Sequence, residues 1–353
     1  MFKRGGVMKK LLVVLLAAIW SLTAKADYSE ALAAYKDKNY ASAEPLLREA
    51  ANNGDDRAWN VLGVMYWRGL DVQQDDVKAL AYFEEAAAGG NVNAFKSLVQ
   101  ILGQGTDTVP KDVARARQWA WRFAQSNSAY AAFVYYQLAM QNELNVLDAQ
   151  GHVDRQRYEA LAKRSIDDRE LDAKAYSMLS FAAERGYLPA VAEAQSILLA
   201  RSGDAASEKA LRYDFEIQDR YAEKIAAQTS AELTQQAEAL KKLKHLGSTH
   251  ASLPLYNEIV PSVMDVANAR THSCDRAKMQ VTKLQVEQPI RGEAYLPLNA
   301  RLLGETLLIK GQWKEVWTVN ACGTSVAVPV MFEADGLASA KFAVDVPVVA
   351  AAR

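Results

Sequence analysis

The chain has 353 residues, half of them hydrophobic and 24% charged, with 41 basic against 42 acidic side chains. That length accommodates two or three domains around a sizeable core, and the composition excludes a disordered chain. Residues 1–26 hold five of the basic residues and no acid, so the remainder carries 36 basic and 42 acidic side chains, a net −6. A surface of that sign gives no electrostatic reason to bind nucleic acid or anionic lipid.

Met8-Lys9-Lys10 makes a compact positive start, Leu11–Trp20 an apolar run of ten, and Ala24-Lys25-Ala26 a small-x-small pattern. Together they predict an export signal at 1–26, cleaved after Ala26. Ten apolar residues fall short of the about 20 that span a bilayer, so an uncleaved anchor is the weaker alternative. No later stretch is apolar enough to cross a membrane, and the mature chain is expected in an oxidising compartment, a bacterial periplasm. In that setting the two cysteines, Cys274 and Cys322, predict one disulfide. A metal site on His272 and Cys274 is the alternative, and no further ligand stands at suitable spacing.

From Tyr28 onward the chain reads as a repeat. Trp59-x-x-Leu62-Gly63-x-x-Tyr66 is followed by Ala79-x-x-x-Phe83, a tetratricopeptide-like pattern with extra residues in the turn. A shift of 36 aligns Ala58 with Ala94, Leu62 with Leu98, Gly69 with Gly105 and Asp76 with Asp112, and sets Leu47, Phe83 and Trp119 in register. Small residues at Gly63, Ala79 and Ala86 let antiparallel helices approach, while Leu62, Tyr66 and Phe83 fill the seam. Trp59 and Trp119 are read as core residues on the same grounds. The Leu-Gly-x-x-Tyr, the Gly-x-x-Val turn, the following Asp and the Ala-Ala-x-x-Gly ending resemble the Sel-one-like repeat family over Asp55–Arg122. The likeness is weaker over Tyr28–Asn53 and returns at Ala182–Ala190. Membership would imply a mainly α fold, a right-handed helical solenoid that binds proteins without catalysis.

Glu208–Ile225 and Ala231–Leu246 read as two helices that cap a solenoid spanning 27–246. Gly247–Pro261, with Gly, Ser, Thr and two prolines, has linker composition, and 247–272 is expected to be a linker. Beyond it the period changes to two. Met279–Val286, Trp313–Val319, Ser325–Phe332 and Lys341–Val346 predict strands, with a turn at Cys322-Gly323. They imply a small antiparallel β domain at 273–347, closed by the disulfide, and a tail at 348–353.

The four histidines show no ligand spacing, and there is no nucleophile elbow, phosphate loop or dinucleotide fingerprint. No metal or cofactor is expected. The pairs Asp55-Asp56, Asp75-Asp76 and Asp167-Asp168 stand near helix starts, where carboxylates cap free N–H groups. By tetratricopeptide geometry the inner groove is lined by Arg57, Asn60, Val64 and Trp67, and one repeat later by Asn93, Lys96, Gln100 and Gly103. Such a set suits a protein partner; Trp67 packing on its neighbours is the equal alternative. The favoured reading is an exported protein-binding scaffold. A periplasmic immunity protein that neutralises a toxic effector is the second. A cell-envelope hydrolase is the third, although the cysteine pairs of the β-lactamase-like members of the repeat family are missing from these repeats.

Overall fold

A computed structural model describes residues 27–200, 227–271, 274–300, 302–304 and 306–345. Twelve α-helices and four strands lie among them, so the chain is mainly helical and ends in an antiparallel sheet. It divides into two compact units, Met1–Phe123 and Ala124–Arg353.

The first unit is built from helical hairpins: α1 (Tyr28–Lys36) with α2 (Tyr40–Asn52), α3 (Asp56–Arg68) with α4 (Asp76–Ala88), and α5 (Val92–Gln104) with α6 (Val113–Gln125). Each start is fixed by a side-chain cap. Asp27, Asn39, Asp55, Asp75 and Asn91 accept backbone N–H bonds at the starts of α1 to α5, and Asp112 accepts from the Arg115 N–H at 2.9 Å. These caps satisfy donors that a helix leaves open. Between hairpins the seam is filled by buried Leu47, Leu62 and Met65 with Ala31, Ala43, Ala50 and Ala58. At Gly63 the two helices approach closely: a Cβ there would stand 2.6 Å from the Phe83 ring. Of the aromatics read as core, Phe83 is fully buried, whereas Trp59, Tyr66 and Trp119 are half-buried. Trp59 stacks on Tyr82 with ring centroids 5.4 Å apart.

The second unit takes α7 (Ala129–Gln141), α8 (Arg155–Ala162), α9 (Glu170–Glu184), α10 (Leu188–Ala200), α11 (Ala227–His245) and α12 (Leu253–Thr271). With them are β1 (Met279–Pro297), β2 (Thr306–Ala321), β3 (Thr324–Ala334) and β4 (Ala340–Val344), in the order β1-β2-β3-β4. Alternation places Val326, Val328, Val330 and Phe332 on one buried face of β3. On β1 the buried positions jump from Val281 to Leu284, because the register shifts between Val281 and Lys283; a bulge inserts one residue there. The β2–β3 hairpin turns through Cys322 and Gly323, at φ 50° and 88°, the positive pair that a two-residue hairpin requires. Cys322 is exposed, Cys274 is buried, and their sulfurs bond with the Cα atoms 5.7 Å apart.

Two features of this unit correct the sequence reading. The expected linker 247–272 contains α12, whose Leu255, Ile259, Val263 and Ala267 form an i, i+4 stripe packed on Trp317, Val328, Val330 and Phe332. Its prolines do not break it. Pro254 falls in the first turn, where no intrahelical acceptor needs its N–H, and Pro261 sits on the exposed side. The sheet is therefore one layer of an α/β sandwich rather than a separate β domain. The expected solenoid 27–246 takes in residues of both units. Ala231–Leu246 falls within and just beyond α11, whereas Glu208–Ile225 and His272 lie outside the described residues. Asp167 and Asp168 occupy a 3-10 turn before α9, where Asp168 accepts from the Ser165 hydroxyl at 2.8 Å and caps no α-helix.

Buried polar groups tie the second unit together. Glu315 is 0% exposed and accepts four bonds: Oε1 from the His250 backbone N–H (2.8 Å) and the Trp313 indole (3.0 Å), Oε2 from Thr249 Oγ1 (2.8 Å) and the Trp317 indole (2.8 Å). Residues 313, 315 and 317 share one face of β2, so the strand period assembles this cluster. Arg169, 1% exposed, donates to the carbonyls of Ala162 (2.9 Å) and Gly336 (2.6 Å), joining α8 to the β3–β4 turn.

Candidate protein-binding face

The first helices of the hairpins adjoin in a row, α1 beside α3 and α3 beside α5. Steps of 3, 4 and 3 residues keep one side of a helix in view. They set Arg57, Asn60, Val64 and Trp67 along α3, and Asn93, Lys96, Gln100 and Gly103 along α5. The row brings the two sets onto neighbouring elements, but their environments differ.

Arg57 is engaged locally. Its Nη2 lies 2.5 Å from Asp55 Oδ2, its Nε 2.9 Å from Oδ1, and its guanidinium 4.3 Å above the Tyr28 ring. The Arg57 hydrogen bonds hold the Asp55 carboxyl below the usual range, and Asp55 in turn raises Arg57. Asn60 is half-buried, and its Oδ1 is buried without a hydrogen-bond partner. Val64 and Trp67 are half-buried; the Trp67 ring meets Phe83 edge-on at 6.0 Å, so this tryptophan has a packing role whatever else it does. Asn93, Lys96 and Gln100 are exposed, and Gly103 is half-buried.

The second helices carry a polar ladder that the sequence reading missed. Arg48 on α2 pairs with Glu44 and donates to the hydroxyls of Tyr82 and Tyr66, each at 3.2 Å. Arg115 on α6 reaches both oxygens of Glu84 at 2.5 Å, the Trp119 indole donates to the same carboxylate at 3.3 Å, and Arg122 lies 5.2 Å over the Trp119 ring. Arg48 and Glu84 stand 36 residues apart, so the repeat period was the available signal. With their charges paired, these side chains join one hairpin to the next.

A hollow of about 730 Å³ opens beside the α3–α4 turn, between Tyr66, Val72–Lys78 and Asp107-Thr108. Two of its three carboxylates are already engaged. Asp75 caps α4, with its pKa lowered chiefly by the Lys78 backbone N–H, and Asp76 accepts from Thr108 Oγ1 at 3.3 Å. Among the described residues no group of three or more His, Cys, Asp or Glu side chains is placed to hold a metal, and no helix is long and apolar enough to cross a membrane.

No family model matches the chain, and no curated protein matches it. Among solved structures it is similar to a Sel1 repeat protein from Oxalobacter formigenes, 22% identical over 56% of this chain and 78% of that one, with a TM-score of 0.27. It is also similar to c5321, a protective antigen present in uropathogenic Escherichia coli strains displaying an SLR fold, 17% identical over 59% of this chain and 52% of that one, with a TM-score of 0.27.

Proposed function

We propose that this protein is an exported scaffold that holds another protein on the face formed by α1, α3 and α5, and that it performs no catalysis. The observation that supports this reading is the unpaired Asn60 Oδ1. A buried acceptor without a donor costs about 1–3 kcal/mol, yet it sits between Arg57, Val64 and Trp67 in the middle of the row. Asn60 is half-buried as a residue, so a turn of its side chain brings Oδ1 out to an N–H group of a bound partner; Trp67 and Val64 offer apolar surface beside it, and Asn93, Lys96 and Gln100 extend the contact along α5. Export rests on the signal pattern at 1–26, and the Cys274–Cys322 bond suits an oxidising compartment.

Asn60→Leu tests the reading, because it removes the stranded acceptor at similar volume. The melting temperature should hold or rise, while capture of the partner from a periplasmic extract should weaken about tenfold or more. The triple variant Asn93→Ala, Lys96→Ala, Gln100→Ala should weaken capture with no change in melting. Wild-type capture by both variants would remove the binding face from α3 and α5.

A further inference from the structure

The second unit contains a hollow of about 590 Å³ between the 163–166 link, which follows α8, and one end of the sheet. That volume lies within the range of sites for small molecules. Its walls are of two kinds. The link side contributes apolar surface through Ile166 and Ala162. Ile166 is 43% exposed, and it is not on a loose loop. Arg164 grips Asp172 through two bonds at 2.8 and 2.6 Å, Ser165 bonds Asp168, and buried Arg169 holds the carbonyl of Ala162. The link is thus fixed at both of its ends, and Ile166 is kept at the hollow in advance of any ligand.

The other side is cationic. Lys310 on β2 and Lys341 on β4 share one sheet face, because Glu333 pairs with both Gln312 and Lys341 across the strands and Lys310 lies two residues from Gln312. Both lysines are exposed, and neither has an ion-pair partner within 4 Å among the described residues. Of the other cations lining the hollow, Lys163 is paired with Glu159 and Arg164 with Asp172, so Lys310 and Lys341 are the ones left without such a partner. An aliphatic side chain held at the link and two lysines without ion-pair partners on the sheet suit one kind of small ligand.

We propose that this hollow binds an amphipathic monoanion, with an aliphatic or aromatic body against Ile166 and Ala162 and a carboxylate or sulfonate head at Lys310 and Lys341. Glu333, paired across the strands with Lys341, repels a second negative charge on the head group and so disfavours polyanions. The site lies on elements of the second unit and does not depend on the α1–α3–α5 face.

Anilinonaphthalene sulfonate, an apolar ring system with one anionic group, is the probe. Titrated into the folded full chain, it should show one saturable fluorescent site, displaced by octanoate and not by inorganic sulfate. Lys310→Glu, alone and with Lys341→Glu, should weaken binding about tenfold or more, the size expected for losing a charge-assisted contact. Ile166→Ser should weaken it while leaving the salt dependence in place. Lys283→Glu makes the same change of charge on the same sheet face, four rows away opposite Thr318, and should leave binding unaltered. Absence of a saturable site would overturn the proposal. So would binding that Lys310→Glu and Lys283→Glu affect equally, or displacement by sulfate as effective as displacement by octanoate.

Discussion

Replacing Glu315 by Gln tests whether the four-donor cluster holds the second unit together. The amide keeps the size of the carboxylate but only one of its acceptor oxygens. The His250 backbone N–H and the Trp313 indole can only donate, so the amide oxygen should stay with them. The NH2 group then faces Thr249 and Trp317. Thr249 can rotate its hydroxyl and accept, but the Trp317 indole cannot. One buried donor is stranded at a cost of about 1–3 kcal/mol, and the surviving bonds lose their charge assistance, about 1 kcal/mol more. A loss of roughly 2–4 kcal/mol follows, a large share of a stability of about 5–15 kcal/mol. Urea unfolding followed by far-UV circular dichroism measures it without relying on the indoles as reporters. Adding Trp317→Phe removes the stranded donor, so the cycle should show a coupling of about 1 kcal/mol or more. Glu315→Gln within about 0.5 kcal/mol of wild type, or an equal cost of Trp317→Phe in both backgrounds, would refute the reasoning.

Gly336 has φ 87°, and a Cβ there would meet the Ala162 carbonyl oxygen at 2.4 Å, whereas Gly151 at φ 84° faces open space. Gly336→Ala should therefore lower the melting temperature well beyond Gly151→Ala, which carries only the backbone share of about 1–2 kcal/mol. Asp55 and Asp75 have native pKa values below that of an unfolded Asp, about 3.9. Their contribution is present above that value and lost as pH falls through the native ones; Asp75→Asn, which caps without titrating, should flatten the acid loss of ellipticity. Reducing Cys274–Cys322 opens a crosslink between positions 48 apart and should cost the second unit roughly 4 kcal/mol. Calorimetry with and without reductant should show the Met1–Phe123 unit melting unchanged.

The repeat was legible because sterics leave few choices where two helices touch: Gly63 is small where Phe83 presses on it, and the 36-residue shift repeats the arrangement. The capping aspartates were legible for a similar local reason, since Asp55 and Asp75 bond N–H groups two or three residues away. Helix α12 was hidden because composition and stripe disagree. Ser, Pro and Gly near its start suggest a linker, while Leu255, Ile259, Val263 and Ala267 make sense only once a sheet lies beneath them. Glu315 was hidden for another reason. A glutamate between two tryptophans in a strand looks like a solvent-facing residue until Thr249 and His250, 65 or 66 positions earlier, supply donors. Trp313-x-Glu315-x-Trp317, with all three on one face, was the signal that strand period offers. On the candidate face, helical spacing gave the rows, but Arg57's attachment to Tyr28 and the unpaired oxygen of Asn60 depend on contacts that spacing does not encode.

The Cys322-Gly323 turn has a consequence for how the chain matures. One sulfur sits at a hairpin corner whose shape exists only once β2 and β3 have paired, and the other lies just after α12. The thiols can thus be brought to lasting proximity only when helix, hairpin and intervening strand have assembled. With two cysteines in the entire sequence, no rival intramolecular pairing exists. Oxidation of a single chain should proceed without a shuffling step, so an oxidant should suffice and a disulfide isomerase should be dispensable. The remaining error available to the thiols is a bond between two chains, which dilution suppresses.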